Sequence, residues 1–172
     1  LAAAGERDHA MEGLVRYCTG QVALASEGLF GPAQIEWLDR VREDLESYRG
    51  ALAWLIERGR PAEASDIACG LMYFWLIRGH AAEGLWWYEQ ILNLPSLPPA
   101  AESRALLGAA VMLYTQGQLG GARAGLTRAL ALAHDAGDRD AVAQAESLFG
   151  FVEHADGNLD AARDRLMSSV EG

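Results

Sequence analysis

The feature that most constrains how this chain can fold is a segment that occurs twice. Residues 117–126 read GQLGGARAGL and residues 157–166 read GNLDAARDRL. The positions that recur unchanged include Leu119, Ala122, Arg123 and Leu126, which correspond to Leu159, Ala162, Arg163 and Leu166. A repeat of this length with Gly at a turn is typical of a helical hairpin, which cannot bury its apolar face alone. The sequence therefore predicts stacked hairpins that share a continuous core.

Looser copies of the same pattern precede the strong pair. Gly79 opens the segment GHAAEGLWWYEQIL at a similar distance before Gly117, with Gly84 at the small-residue position and Tyr88 at the Leu position. Further upstream, Gly59 with Ala64 gives a weaker copy. We therefore expect about four hairpins, or about eight helices.

The composition favours helices over strands. The chain has 31 Ala and 24 Leu but only 7 Val, 5 Ile and 3 Thr, so a sheet would lack the β-branched residues that it prefers. Gly and Pro divide the sequence into segments of helix length in which apolar residues recur every three or four positions. An all-α fold is the prediction.

The predicted helices follow from this punctuation. Their ranges are 6–28, 32–58, 61–78, 81–92, 100–116, 119–136, 139–156 and 159–170. In the second range, an apolar stripe runs from Leu38 to Leu55 in steps of three and four residues. Gly50 lies within that range and is the position at which a bend or an end is expected. Pro95, Pro98 and Pro99 mark the one conspicuous loop.

The charge pattern excludes several functions. All 14 basic residues are arginine, so a Walker A loop, a Schiff base and a Ser–Lys dyad are excluded, and GQLGG is not a phosphate loop. The arginines are scattered among 24 carboxylates, and the net charge is −10. This is not the basic face of a nucleic-acid-binding protein. We expect no direct contact between this segment and nucleic acid.

The titratable residues form no catalytic or metal-binding pattern. Each of the four histidines, among them His154, lacks a second ligand at a zinc spacing. The acidic clusters fall on helix faces or at helix starts, where negative charge is favourable in any case. Cys18 and Cys69 lack metal-site spacing and are predicted to be reduced core thiols. We expect no enzymatic activity, no metal and no cofactor in this segment.

We predict one domain over residues 1–172, because nothing in the chain has the composition of a linker. The longest apolar run, 67–77, is about half the length of a membrane span. With no secretory leader in the sequence, a cytoplasmic protein is expected. The chain opens at Leu1 rather than Met and closes at Gly172 directly after a helical pattern, which favours a piece of a longer protein.

The last two hairpins resemble tetratricopeptide repeats. The shared features are small residues at Ala110 and Gly150, Gly117 and Gly157 at the turn, Ala122 and Ala162 in the second helix, and Ala129 and Ser169 near its end. One departure is the period, since the spacings from Gly79 to Gly117 and from Gly117 to Gly157 exceed the usual one of roughly 34 residues. The others are a missing terminal Pro, and Glu146 and Glu153 where a large apolar residue is common. The resemblance implies a right-handed α-solenoid of antiparallel hairpins.

Residues 7–92 are similar to the segment that follows the nucleotide-binding and winged-helix parts of bacterial STAND ATPases, the LuxR-type and MalT-like regulators. The residues that carry this resemblance are Trp37, Leu38, Ala51, Leu52, Trp54, Gly59, Trp75, Gly79, His80, Glu83 and Gly84. It implies that an ATPase lies upstream in the parent chain and that a DNA-binding helix-turn-helix lies elsewhere in it.

In tetratricopeptide modules, the first helix of each hairpin lines a concave groove. Carried over by position, the groove residues here are Asp66, Cys69, Tyr73, Arg104, Leu107, Val111, Tyr114, Gln144, Ser147, Phe151 and His154. This mixture suits a peptide or a small effector. The alternative is a solvated face without a partner.

The densest apolar feature comprises Tyr73, Phe74, Trp75, Trp86, Trp87 and Tyr88. These side chains either form a ligand pocket or belong to the core, and the core is favoured because the helix over 61–78 is apolar nearly all round. Adjacent helical residues point roughly 100° apart, so Trp86 and Trp87 cannot be equally buried.

Our leading hypothesis is a non-catalytic arm of a multidomain ATP-dependent transcriptional regulator. Its partner would be a protein, a peptide, a small effector or another domain of the parent chain. The alternative is a structural oligomerisation scaffold or a free-standing tetratricopeptide adaptor. Self-association would use apolar surface near residues 1–4 and 166–170.

Overall fold

The computed structural model describes residues 2–28 and 31–171, which form nine α-helices and no strand. The helices are α1 (Ala2–Gly28), α2 (Gln34–Glu43), α3 (Leu45–Glu57), α4 (Pro61–Arg78), α5 (Ala81–Leu92), α6 (Pro99–Thr115), α7 (Leu119–Ala136), α8 (Arg139–Ala155) and α9 (Leu159–Glu171). The all-α fold class predicted from composition is confirmed for these residues. None of the described helices is both long and apolar enough to cross a membrane.

The prediction of one long helix over residues 32–58 is wrong. The chain leaves helical geometry at Asp44, whose φ of −94° and ψ of 8° separate α2 from α3. Asp is a poor residue for a helix interior because its side chain competes for hydrogen bonds. Here the Tyr17 hydroxyl of α1 donates to Asp44 Oδ2 at 2.6 Å, which gives that carboxylate a partner outside the helix. Gly50, the expected bend, lies inside α3.

The repeated sequence builds the same turn twice. Gly117 and Gly157 have φ values of 70° and 85°, in the left-handed region that favours glycine. After each glycine, the next backbone N–H donates back to the helix that has just ended, Gln118 to the Leu113 carbonyl and Asn158 to the Glu153 carbonyl, both at 2.9 Å. The two turns therefore return the chain along α7 and α9 in the same way.

The helices contact one another in a regular order. Each helix from α3 to α9 packs against its neighbours in sequence, as expected for helices joined by short turns. In addition, α4 contacts α6, and α6 contacts α8. The first helices of three successive hairpins therefore adjoin one another.

The buried apolar residues fall into two clusters that meet at α6. The first cluster draws on α1 to α5 and receives Ala105, Ala109 and Met112 from α6. The second joins α6, α7 and α8, with Leu107 and Ala110 from α6. Because α6 contributes to both, it connects the aromatic-rich first half of the chain to the alanine-rich second half.

Candidate binding face

The first surface of interest is the first-helix face, which we define by the predicted groove positions on α4, α6 and α8. Its clearest contact joins two predicted residues, since the Arg104 guanidinium of α6 donates to Asp66 Oδ1 of α4 at 2.7 Å. Both side chains keep about half of their surface exposed. The structure therefore brings these two residues of the predicted groove together.

Three side chains at corresponding positions of α4, α6 and α8 give this face its apolar character. Tyr73 and Val111 are half-buried, and Phe151 is 49% exposed. Val111 also packs against the first core cluster, so only part of its side chain is accessible. Each of the three adjoining helices therefore carries one partly accessible aromatic or aliphatic side chain.

The remaining predicted groove positions differ in accessibility. Gln144 is exposed, whereas Cys69 and Ser147 are half-buried. Tyr114 is half-buried and packs against the second cluster. The expectation that Leu107 faces a ligand is wrong, because Leu107 is buried within the second cluster, where it fills the space between α6 and its neighbours.

His154, a predicted groove position of α8, also lines a second surface, the α9 trough. This shallow depression is lined by His154, Leu159, Ala162, Arg163, Leu166, Met167 and Val170 and has a volume of about 650 Å³. Leu159, Met167 and Val170 are 63%, 55% and 85% exposed, which is unusual for large apolar side chains so close together. The predicted apolar surface near 166–170 is confirmed, and the side chains of residues 1–4 lie outside the described part of the chain.

An ion-pair cluster ties α7 to α8. Arg123 of α7 donates to both oxygens of Glu153, at 3.0 and 3.2 Å, and to Asp156 at 2.7 Å. Asn158 also donates to Glu153 Oε2 at 2.7 Å. These hydrogen bonds hold the pKa of Glu153 below its ordinary value of 4.5. The bonds from Arg123 lower the pKa most, and the bond from Asn158 has the next largest effect. Glu153 is therefore buried as an ionised and paired group.

A second buried carboxylate has a partner of the same kind. Glu146 of α8 accepts two hydrogen bonds at 2.9 Å from Arg165 of α9, whose guanidinium lies 4.3 Å from the centre of the Phe149 ring. Burying a carboxylate is costly unless it is paired and hydrogen-bonded. Both unusual glutamates of the repeat are therefore accommodated by an arginine of a neighbouring helix.

The aromatic residues of α4 and α5 mostly form core, as favoured by the sequence. Phe74, Trp75 and Tyr88 are fully buried. Trp86 is 50% exposed and Trp87 only 6%, so the expected difference between these neighbours is confirmed.

The thiols are poor nucleophiles at neutral pH. Burial raises the pKa of both Cys18 and Cys69 to about 11. Among the described residues, no group of three His, Cys, Asp or Glu side chains is placed to hold a metal ion.

Sequence reasoning did not identify the full α9 trough as a site. It recognised apolar surface at 166–170 but did not connect it with Leu159, Ala162 and Arg163. The signal that could have found the trough is the repeat itself, because Leu159, Arg163 and Leu166 match Leu119, Arg123 and Leu126 of α7. Of these, Arg123 binds Glu153 of α8, and the two leucines contribute to the second core cluster.

No protein-family model matches the chain. The chain is similar to proteins of Mycobacterium tuberculosis and Mycobacterium bovis that carry the provisional name HTH-type transcriptional regulator. Each is 32% identical over 123 residues, an alignment that covers 64% of this chain and 14% of the relative. The chain thus spans about one seventh of the length of the curated relatives that it matches. At the level of distant similarity, this links it to transcription regulators.

Proposed function

We propose that this chain is a non-catalytic binding arm of a multidomain transcriptional regulator and that it takes its effector or protein partner on the first-helix face. The observation that carries the proposal is the contact between Asp66 and Arg104, which joins α4 to α6 at an exposed surface. A continuous face with charged, polar and aromatic groups has the chemistry that peptide and effector grooves require.

The proposed parent is a cytoplasmic STAND ATPase of the LuxR-type or MalT-like kind. The similarity to HTH-type regulators supports this assignment, and an alignment over 14% of those proteins leaves most of their length for other functions. We further propose that the hairpins form one right-handed solenoid of tetratricopeptide type. The contacts of α6 with α4 and with α8 support that arrangement.

The proposed mechanism is a shift between two states of the parent regulator. An effector that binds the first-helix face more tightly in one arrangement of the parent increases the population of that arrangement. In this scheme the arm itself makes no covalent change and needs no cofactor. An ATPase elsewhere in the parent would set the switch, and a helix-turn-helix would contact the promoter.

The test uses the complete reading frame that contains this chain. We would combine Arg104→Glu with Phe151→Asp, which changes the charge and the apolar character of the first-helix face at two accessible positions. The expected result is a loss of regulated transcription by more than about tenfold, or constitutive transcription, with unchanged affinity of the purified parent for its promoter. Transcript levels are read by quantitative RNA measurement.

The matched control is Glu89→Arg, an exposed charge change on α5, away from the first-helix face. This variant should regulate transcription as the wild type does. The proposal fails if the Arg104→Glu, Phe151→Asp variant folds, reaches wild-type levels and responds normally.

The second candidate function is an oligomerisation scaffold or a free-standing adaptor. The exposed apolar residues of the α9 trough favour it, because such surface promotes association. Sedimentation equilibrium of the chain tests the scaffold, which requires a concentration-dependent oligomer. A monomer at every accessible concentration counts against it.

A further inference from the structure

The break between α2 and α3 interrupts a segment whose sequence favours a continuous helix. The apolar stripe from Leu38 to Tyr48 keeps helical spacing across Asp44. Helical hydrogen bonds also persist there, since the Asp44 N–H donates to the Arg40 carbonyl at 3.1 Å and the Tyr48 N–H to the Asp44 carbonyl at 3.2 Å. The ψ of 8° at Asp44 differs from the helical value by about 50°. A small backbone rotation at this one residue therefore separates the bent segment from a straight one.

A contact with α1 is made at the bend itself. The Tyr17 hydroxyl of α1 donates to Asp44 Oδ2 at 2.6 Å. An Asp at the start of a helix ordinarily accepts a hydrogen bond from a backbone N–H of that helix. The Asp44 side chain makes no such bond to α3. Its carboxylate therefore binds α1 instead of capping α3.

A second contact joins α2 to the end of α4. Asp39 Oδ1 accepts a hydrogen bond from Arg78 Nη2 at 2.7 Å, and the Arg42 guanidinium lies 3.4 Å from the same oxygen. Arg78 is the last residue of α4, one of the helices that form the first-helix face. The Arg78 and Asp39 side chains are 33% and 41% exposed, so water and salt compete with this ion pair. The contact is therefore one that can be released.

The apolar attachment of α2 is limited. Of its ten residues, Leu38 and Val41 are buried, and the Trp37 ring packs against Gly28 of α1. In contrast, α3 buries five of its thirteen residues. Segments with few buried apolar groups open at a low cost in free energy. The helix α2 is therefore less firmly anchored than α3, which it would continue if the segment were straight.

We propose that α2 is a lever that pivots at Asp44 between this bent position and a straight position in which α2 and α3 form one helix. In the bent position, two clasp contacts, Tyr17–Asp44 and Arg78–Asp39, hold the lever to α1 and α4. In the straight position, both clasps are broken and Asp44 has helical backbone angles. A disagreement between local sequence preference and tertiary structure is typical of functional or strained segments.

The consequence of this device is a coupling between distant parts of the chain. Because one clasp lies on α1 and the other at the end of α4, a change at either helix shifts the equilibrium between the two lever positions. An anionic group that binds Arg78 in place of Asp39 favours the straight position. The inference concerns movement within this chain and does not depend on the proposed function.

The experiment measures the distance between spin labels at positions 35 and 53, which are exposed on α2 and α3. The labels are attached to Ile35→Cys and Ala53→Cys in the whole chain, in which Cys18→Ala and Cys69→Ala remove the native thiols. A continuous helix places the two Cα atoms about 27 Å apart, whereas the bend brings them closer. Pulsed electron spin resonance gives the population of each position, and circular dichroism checks that every variant is folded.

We expect the straight population to become the major one in Asp44→Ala, because alanine favours a helix and the acceptor for Tyr17 is lost. Tyr17→Phe removes only the hydroxyl group and should raise the straight population about five- to tenfold. Asp39→Asn should raise it as well. Potassium chloride at about 1 M should have the same effect in the wild type, because it screens the Arg78–Asp39 pair.

The matched control is Glu43→Ala, an exposed position next to the hinge. This variant introduces the same residue as Asp44→Ala but leaves both clasp contacts in place. Its distance distribution should be that of the wild type.

Two outcomes overturn the proposal. The first is a single, unchanged distance in Asp44→Ala and Tyr17→Phe, which would make the bend a fixed feature of the fold. The second is a broad distribution without a maximum at the straight-helix distance, which would mean that α2 unfolds instead of pivoting. If Asp44→Ala does not fold, the conservative change Tyr17→Phe decides between these results.

Discussion

The hairpins α6–α7 and α8–α9 share a sequence motif but differ in what their second helices meet. Leu126 of α7 is fully buried, whereas its equivalent Leu166 of α9 is only half-buried. Arg123 binds two carboxylates at the end of the next helix, whereas the ion pairs of Arg163 within the described part of the chain are with acidic residues of its own helix. The difference shows that one motif meets two environments, because α8 follows α7 and binds Arg123, whereas no described helix follows α9.

The physical reason is that a helix in a stack has two apolar contacts to make. One lies inside its hairpin and the other lies against the next unit, so the stability of a stack is a sum of unit and interface contributions. In α8–α9 the inner contact is made, as Gly150 and Leu166 show by their close approach. The outer contact of α9 is open among the described residues, and this leaves the trough.

The largest expected effect is the difference in stability lost when each of the two equivalent leucines is replaced by alanine. Leu126→Ala should lower the free energy of unfolding by about 3 kcal/mol, because it leaves a cavity in a closed core. Leu166→Ala should cost only about 1 kcal/mol, because part of that side chain already faces solvent. Urea unfolding followed by circular dichroism gives both values. Equal losses would contradict the comparison and would mean that α9 is covered in solution.

A second comparison uses two glycines that differ in the space around them. In Gly150→Ala the new Cβ would lie 2.6 Å from Leu166 Cγ and 3.2 Å from the Ala162 carbonyl, so we expect a loss of about 1 to 2 kcal/mol. In Gly125→Ala of α7 the nearest atoms are 3.7 and 3.9 Å away, so a gain of about 0.5 to 1 kcal/mol is expected.

Thermal unfolding checks both glycine variants, which should shift Tm in opposite directions. A Gly150→Ala variant that is as stable as the wild type would contradict this expectation. It would show that Leu166 moves into the open trough to make room for the methyl group.

The smallest expected effect concerns the loss of stability at acidic pH. The pKa of Glu153 is lower in the folded chain than its ordinary value of 4.5, so the group stabilises the fold above that pH. This contribution is lost as the pH falls from 4.5 through the lower folded value. In Arg123→Ala the pKa of Glu153 should rise, and the urea midpoint should fall less steeply across this window than in the wild type.

Arg163→Ala is the matched control for the stability measurement at acidic pH, because the ion pairs of Arg163 are with carboxylates other than Glu153. Its urea midpoint should follow the wild-type pH dependence. NMR titration of the Glu153 side chain measures the pKa directly, and a value that does not change in Arg123→Ala would refute the assigned cause.

The helices were largely predictable, because their limits depend on local signals. Pro61 begins α4, Gly79 ends it, and the predicted limits of α4, α5 and α7 agree with the structure. The division at Asp44 was not predictable, because the apolar stripe of Leu38 and its successors continues through it. What distinguishes Asp44 is a hydrogen bond from Tyr17, which is distant in sequence.

The candidate sites were less predictable than the helices. The structure places Asp66 beside Arg104, because equivalent residues on adjoining first helices lie close together, and the binding role of these groove positions stays a prediction. Position in the repeat could not show that Leu107 is buried or that His154 lines the α9 trough. Those outcomes depend on which side of each helix a neighbour covers.

The sequence by itself determined the all-helical fold of the described residues, most of the helix limits and the glycine turns. These depend on backbone preferences and on apolar spacing within a few residues. Only the tertiary structure decided that Glu146 and Glu153 are buried beside arginines and that α9 keeps an open apolar side. Burial and ion pairing depend on helices that are distant in sequence, so a motif that occurs twice can meet two different environments.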